Sequence, residues 1–345
     1  MFRRISLVFS IMGLLLTLGS IAGAQSVSAE KARTLGSAES GFLPAAVNRP
    51  TVDIFLTTSW TNASYGTGGV ALRNRRVGSL NVGGVTAPTK AAYVYWAVLL
   101  NTKPGKSKLK SISTVTVARQ FPTGGTTSAT VTGTLLAVGG DPCWASIGTW
   151  VYRASVPTSV ANGSGLYKVS FGTPVSGLSD GEDPWDGNVV FPLLEGASLV
   201  IVGTGGATVG LLDGQAGTTF IADAGYQNFY QLPATIGSFG SQVLLDNIGY
   251  DGQIGNSRLA TTSNETTNIE GWPSLTNNIL VAGPGGETGN SDWDGSIGGP
   301  LPQLWDDTGH DVSNAFLAND TWALVSYGGG GSDCVGTVAA VMSVQ

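Results

Sequence analysis

Short runs of apolar or alternating residues recur along the whole chain, and this pattern constrains the fold more than any other feature. Residues 91–99 form a continuous apolar and aromatic run, whereas residues 113–118 and 129–135 alternate between apolar and polar side chains. Such runs predict β-strands, and no long segment has the 3.6-residue period of a helix. Further strands are predicted at residues 52–57, 167–171, 197–202, 242–245, 322–327 and 335–341.

Turn residues separate these runs, which is typical of a β-sandwich. We therefore predict an all-β fold, a large antiparallel β-sandwich of jelly-roll type, with two packed sandwich subdomains as an open alternative. Two short helices are expected, at residues 151–160 and 311–317, with Asp311 as a helix N-cap. Only 12% of residues are charged and 51 are glycine, which excludes a coiled coil, and nine Trp, nine Tyr and eleven Phe argue against disorder.

The N-terminal segment has the features of a secretory signal peptide. Arg3 and Arg4 precede an apolar stretch, and residues 22–24 (Ala-Gly-Ala) fit a cleavage site before Gln25. The alternative is a membrane anchor. We expect a signal peptide at residues 1–24, a flexible leader at 25–50 and the β-sandwich unit at 51–345. No other run approaches the ~18 apolar residues of a membrane span, so the chain is expected to be secreted, extracellular or attached to the cell surface, and not embedded in the membrane.

Two cysteines, Cys143 and Cys334, are present. In an oxidising compartment such a pair is usually a disulfide, which here closes a loop of about 190 residues. Two free thiols and a metal pair are the alternatives, although no histidine lies near either cysteine in the sequence.

Charge is divided sharply along the chain. Residues 1–168 hold 16 of the 17 basic residues and 4 of the 23 acidic ones. This division predicts a basic subdomain at 51–168 and an acidic one at 169–345, and molecules of this kind can associate head to tail. The alternative is that distant strands interleave and the charges mix in space.

Two acidic segments are candidates for binding calcium, which prefers six to eight oxygen ligands from loops. Both segments contain the triplet Trp-Asp-Gly, and in both the alternative is that Asp and Asn only form turns. The candidate ligands are Asp180, Glu182, Asp183, Asp186 and Asn188 in the first segment, and Asn290, Asp292 and Asp294 in the second.

A basic segment could contact polyanions such as cell-wall polymers. Its candidate residues are Lys103, Lys106, Lys108 and Lys110. No aromatic residues alternate with these lysines and no nucleic-acid-binding motif accompanies them, so no nucleic acid is indicated. A solvated hairpin tip is the alternative interpretation.

Several segments together resemble a bacterial secreted or surface β-sandwich domain family of unknown function, often found at the N-terminal end of large envelope-associated proteins. The resemblance lies in residues 91–96 (Ala-Ala-Tyr-Val-Tyr-Trp), Cys143-Trp144, residues 195–202 and residues 332–335 (Ser-Asp-Cys-Val). It implies a β-sandwich displayed outside the cell and transfers no catalytic residues.

Catalysis finds little support in the residue pattern. His310 is the single histidine, and no Gly-x-Ser-x-Gly elbow accompanies it. Glycoside hydrolysis needs only two carboxylates, yet no spacing selects a pair among Glu195, Glu265, Glu270 and Glu287. We therefore expect a secreted structural or binding protein of the bacterial cell exterior, in a surface-layer, matrix or adhesion role, stabilised by calcium, with itself or cell-surface polymers and glycans as partners. The alternative is a carbohydrate-binding or carbohydrate-active secreted protein.

Overall fold

The computed structural model describes residues 55–73, 75–140, 144–172, 190–213, 219–221, 226–238, 240–250, 265–274, 279–281, 305–329 and 334–345. Eighteen strands form three antiparallel sheets within these ranges. The predicted all-β sandwich class is confirmed. The large sheet contains β1 (Leu56–Ala71), β3 (Thr86–Leu100), β6 (Thr134–Gly139), β7 (Gly148–Ser155), β9 (Leu193–Thr204), β10 (Ala207–Leu212), β11 (Thr219–Ile221), β13 (Val243–Tyr250), β16 (Trp305–Asp311) and β18 (Cys334–Val344).

Two four-stranded sheets cover the two ends of one face of the large sheet. The first has the order β2-β8-β4-β5, and its strands are β2 (Val77–Val82), β4 (Thr114–Gln120), β5 (Thr126–Thr132) and β8 (Gly165–Phe171). The second has the order β12-β17-β14-β15, and its strands are β12 (Tyr226–Gln231), β14 (Glu265–Trp272), β15 (Ile279–Val281) and β17 (Trp322–Gly329).

The large sheet runs in the order β16-β13-β18-β10-β1-β9-β3-β7-β6, so neighbouring strands come from distant parts of the chain. Its central strands bury both faces, which is why they appear in the sequence as continuous apolar runs. On β3, Trp96 and Val98 pack under the first covering sheet, while Tyr95 and Ala97 pack on the opposite face. The second covering sheet packs over the other end of the large sheet, where Met342 belongs to the core.

The opposite face of the large sheet is concave, because the sheet curls until its edge strand β16 packs over β9. The Nε1 of Trp305 on β16 donates a hydrogen bond to the Oγ of Ser198 on β9, at 2.9 Å. Gly196 makes this approach possible, since a Cβ there would lie 2.5 Å from the Trp305 ring and 2.7 Å from the Val70 carbonyl oxygen. The curl therefore brings β1, β9, β13 and β16 around one interior.

Two details of the predicted secondary structure are wrong. Residues 151–160 are not a helix, because Val151 and Tyr152 lie in β7, which is paired on both sides with β3 and β6 and buries side chains on both faces. The alternating run 129–135 is two strands in different sheets, since the chain leaves β5 and enters β6 at Gly133, where a Cβ would lie 2.4 Å from the Trp96 ring.

The structure contains helical turns in two connections. A helix, α1 (Lys106–Ile112), joins β3 to β4, so the basic segment is helical and not a hairpin tip. The helix expected at 311–317 is a single 3-10 turn, Ser313–Ala315. The predicted N-cap at Asp311 is wrong, because the residue that precedes the turn is Val312. The Oδ1 of Asp311 does accept a hydrogen bond from the Ser313 amide, at 3.0 Å. Within the part of the chain that the structure describes, no helix is both long and apolar enough to cross a bilayer.

Candidate functional site

The interior of the curl contains a polar cluster, which we call the carboxylate cluster: Tyr65 and Thr67 of β1, Ser198 of β9, Asp246 of β13 and Asp307 of β16. The register of the strands explains why the two carboxylates, Asp246 and Asp307, lie on the same face of the large sheet. Asp307 pairs with Ile248 and Asp246 with Val341, and both of these apolar partners belong to the core on the concave face. Opposite residues of antiparallel strands project from the same face.

Asp246 is the centre of the hydrogen bonding in the cluster. The Tyr65 hydroxyl donates a hydrogen bond to its Oδ2, and the Thr67 hydroxyl donates one of 3.2 Å to its Oδ1. Gly309 leaves room for this carboxylate, since a Cβ at Gly309 would lie 2.5 Å from the Asp246 Oδ1. Burial raises the pKa of the Tyr65 phenol well above its usual value, and the charges of Asp246 and Asp307 raise it further. Tyr65 therefore acts as a permanent hydrogen-bond donor.

Asp307 is the unusual member of the cluster. Both of its carboxyl oxygens are shielded from solvent, and within the described ranges neither makes a hydrogen bond of normal geometry. Burial raises the pKa of Asp307 to about 7, the nearby hydroxyls of Ser198 and Thr67 lower it, and the charge of Asp246 raises it. None of these influences is a positive charge, so the structure supplies no obvious compensation for an ionised Asp307.

A pocket of about 420 Å³ opens beside the cluster. Its polar wall includes Ser64, Tyr65, Thr67, Gln242, Asp246 and Gln345. The rest of the wall is mostly glycine and alanine, with Leu244 as its largest apolar side chain. Ligand pockets of this size are usually lined by apolar and aromatic side chains, so this lining favours a polar ligand. Among the described residues, Asp246 is the one carboxylate side chain that lines the pocket, and Asp307 lies outside the lining.

A second buried carboxylate, Asp213, is fully compensated. Its Oδ2 accepts hydrogen bonds from the Tyr95 hydroxyl at 2.6 Å and from the Arg153 guanidinium at 2.5 Å, and its Oδ1 accepts one from the Thr57 hydroxyl at 2.6 Å. These three partners come from three different strands, β3, β7 and β1, and Asp213 itself directly follows β10. A buried charge with this many partners stabilises the arrangement of the strands that supply them, and we interpret it as structural.

The predicted site residues are only partly within the described structure. The lysines lie at α1 and just before it, with Lys103, Lys106 and Lys110 exposed and Lys108 half-buried. All eight predicted calcium ligands and Cys143 lie outside the described residues, and Cys334 is described only as the first residue of β18. The calcium and disulfide predictions therefore stay predictions. Among the described residues, no group of three or more His, Cys, Asp or Glu side chains converges.

Of the carboxylates considered for glycoside hydrolysis, Glu195 and Glu270 do not line the pocket, and Glu287 lies outside the described residues. Glu195 is fully buried, and its Oε1 lies 3.6 Å from the Nη1 of the buried Arg73. Glu270 lies on β14 in the second covering sheet. Among the tryptophans, Trp96, Trp272 and Trp305 are core residues. His310 is three residues after Asp307 on β16, so its side chain projects from the opposite face of that strand.

Sequence reasoning missed the carboxylate cluster, although its residues carry a signal. Asp246 and Ser198 are polar residues inside otherwise apolar strand runs, 243–250 and 197–202. A polar side chain at a buried position of a strand needs a partner or a function. What the sequence could not supply is the curl that brings β16 over β9, since this contact joins residues 107 positions apart.

No protein-family model matches the chain, and no curated protein sequence matches it. Among solved structures, the chain aligns with PNGase F, a glycosylasparaginase from Flavobacterium meningosepticum, at 10% identity over 87% of this chain and 94% of that one, with a TM-score of 0.22. It also aligns with the VP2 subviral particle of infectious bursal disease virus at 14% identity, over 87% and 74% of the two chains, with a TM-score of 0.20. These TM-scores are too low to indicate a shared fold.

Proposed function

We propose that this chain is a secreted binding protein of the bacterial cell exterior, and that its pocket binds a hydroxyl-rich molecule such as the end of a glycan. The observation that carries the proposal is the polar lining of the pocket around the Tyr65–Asp246 pair. Carboxylate, amide and hydroxyl groups pair with sugar hydroxyls, whereas an apolar ligand would leave them unpaired at a cost of about 1–3 kcal/mol each. Secretion is supported by the signal-like segment at residues 1–24.

Binding is favoured over hydrolysis by the number of carboxylates in the pocket. Hydrolysis of a glycosidic bond requires two carboxyl groups that flank the bond. In the part of the chain that the structure describes, Asp246 is the one side-chain carboxylate at the pocket, and its two oxygens already accept hydrogen bonds from Tyr65 and Thr67. A carboxylate held in this way is suited to accept hydrogen bonds from a ligand.

The test is ligand binding by the purified full-length chain, measured by glycan-array screening and then by calorimetry. Gln242 and Gln345 are exposed pocket residues whose backbones pair with each other, so their side chains are dispensable for folding. We expect Gln242→Ala and Gln345→Ala each to weaken binding about tenfold, the loss of about one hydrogen bond. Gln231→Ala, at an exposed residue of β12 outside the pocket, is the matched control.

Two results would contradict this proposal. One is the absence of any glycan ligand. The other is a ligand whose affinity is unchanged in both pocket variants, which would place its binding site elsewhere on the chain.

A further inference from the structure

We propose that the carboxylate cluster binds one hard divalent cation, calcium, between Asp246 and Asp307, with the hydroxyl oxygens of Thr67 and Ser198 as further ligands. The cluster is separate from the acidic segments considered above as calcium loops. Asp307 and Ser198 do not line the pocket, so a cation bound to them does not require a ligand in the pocket.

The first argument is the state of Asp307. Its two carboxyl oxygens are shielded from solvent and make no hydrogen bond of normal geometry. An ionised carboxylate in such a place costs several kcal/mol unless it is paired or coordinates a metal. The neighbours that act on it are two hydroxyls and a second carboxylate, and a cation would satisfy both carboxylates at once.

The second argument is the orientation of the hydroxyl groups. Thr67 donates its proton to Asp246, and Ser198 accepts a hydrogen bond from Trp305, so both oxygens are fixed in place. After donating its proton, the Thr67 oxygen retains lone pairs for a metal. The hydroxyls of Thr67 and Ser198 also lower the pKa of Asp307 as hydrogen-bonding neighbours, so both lie beside its carboxyl group.

The ligand chemistry selects calcium. All the available atoms are oxygens, which excludes the softer metals that prefer sulfur or imidazole. Two carboxylates, two hydroxyls and water from the adjacent pocket provide the six to eight ligands that calcium accepts with flexible geometry. Magnesium needs a near-ideal octahedron, which four fixed ligands from four separate strands do not easily provide.

The experiment uses the purified full-length chain, stripped with EDTA and then titrated with calcium chloride by calorimetry and by thermal unfolding. Wild type should bind calcium, and its Tm should rise by about 4 °C at a calcium concentration 100 times the Kd. Asp307→Asn, which keeps the side-chain shape, should weaken binding at least tenfold and abolish the Tm shift.

Three further variants make the result decisive. Thr67→Val removes one ligand oxygen without changing the side-chain shape, and it should weaken binding about tenfold. Thr58→Val, at a half-buried threonine of the same strand, is the matched control and should bind calcium as wild type does. A double variant of the acidic segment, Asp292→Asn with Asp294→Asn, should also retain the Tm shift.

A wild-type chain that binds no calcium would overturn the proposal, and Asp307 would then be kept neutral by a proton. The proposal also fails if the acidic-segment variant loses the Tm shift while Asp307→Asn keeps it. Should Asp307→Asn not fold, an undiminished calcium affinity in Thr67→Val would count against the cluster in the same way. Loss of glycan binding with calcium binding intact would reject only the proposed function.

Discussion

Two buried tyrosines on neighbouring strands of the large sheet differ in what their hydroxyls contact. Tyr95 on β3 donates to Asp213 at 2.6 Å, whereas the hydroxyl of Tyr152 on β7 is shielded from solvent and has no hydrogen-bond partner among the described residues. The Tyr152 ring stacks on Trp96 with centroids 5.4 Å apart. The ring of Tyr152 therefore stabilises the fold by packing, whereas burial of its hydroxyl has a desolvation cost that no hydrogen bond offsets.

We expect Tyr152→Phe to raise the free energy of unfolding by about 1 kcal/mol, because it removes the unpartnered hydroxyl and keeps the ring. Tyr95→Phe is the matched control and should lower it by about 1–3 kcal/mol, since its hydroxyl bonds to a carboxylate. Chemical denaturation measures both values. A loss of stability in Tyr152→Phe as large as that in Tyr95→Phe would show that the Tyr152 hydroxyl has a partner.

The stability of wild type and of Tyr152→Phe at alkaline pH provides a second test. Burial raises the pKa of Tyr152 from 10.0 to about 12. Above pH 10 the folded protein therefore keeps a proton that the unfolded chain releases, so stability falls as the pH rises from about 10 to 12. Tyr152→Phe should lose less stability than wild type across this interval, and equal losses would contradict the assignment.

Single residues also show what sequence reasoning could reach. A turn near Asp311 was predictable because its hydrogen bond to the Ser313 amide joins residues only two positions apart, although the residue that precedes the turn is Val312. The carboxylate cluster was not, because Tyr65 and Asp246 are 181 positions apart. Their meeting depends on strand order and on the curl of the sheet, and neither is encoded in local residue spacing.

At the scale of elements, glycines decide where strands approach one another closely. Gly196 on β9 lies against the Trp305 ring and the Val70 carbonyl oxygen, and an added Cβ would be 2.5 Å and 2.7 Å from them. The backbone of β1 and the buried indole of β16 leave no room for adjustment at this point. The position of β16 therefore depends on the absence of a side chain at residue 196.

We expect Gly196→Ala to lower the free energy of unfolding by about 1–3 kcal/mol or more, because it overpacks the contact between β9 and β16. Gly237→Ala is the matched control, since a Cβ there has no heavy atom within 4 Å, and its effect should stay within about 0.5 kcal/mol. Urea denaturation monitored by tryptophan fluorescence gives both values. Equal stabilities of the two variants would mean that β16 does not pack on Gly196.

The strands that were predicted correctly are those with a strong local pattern. Residues 91–99, 197–202 and 335–341 lie in β3, β9 and β18, where both faces are buried and the apolar run is continuous. Strands such as β2, β12 and β16 were missed because polar or glycine residues interrupt their alternation. The boundary between β5 and β6 was missed because it is set by the contact of Gly133 with Trp96, which is a tertiary feature.

At the scale of the whole molecule, the large sheet interleaves both halves of the chain, since β9 lies between β1 and β3. The covering sheets do not interleave in this way. The first carries Arg119 and Lys168, with the lysines of α1 in the connection to β4, and the second carries Glu265 and Glu270. The charge division seen in the sequence thus extends to the two covering sheets.

We predict that the opposite charges of the residues in the two covering sheets favour head-to-tail association that does not close. We expect oligomers of the purified chain to grow at low ionic strength and to shrink as salt is added, because exposed charges are screened beyond about 8–10 Å at physiological salt. Light scattering at concentrations up to about 1 mM measures this, since contacts of ~4 kcal/mol become visible there. A monomer at both low and high salt is the contrary result.

The order of strands in the large sheet also sets when the protein can fold. β1, near the start of the described chain, pairs with β9 and β10, so that Leu56 lies opposite Leu212, and β10 in turn pairs with the C-terminal strand β18. Contacts across such sequence separations are slow to form, because the entropy cost of closing a long loop is met before the favourable contacts of the paired strands are made. A chain emerging from the ribosome cannot complete this sheet until its last strand has been synthesised. The large sheet is therefore completed only when β18 is available, and until then β10 lacks one of its two neighbouring strands.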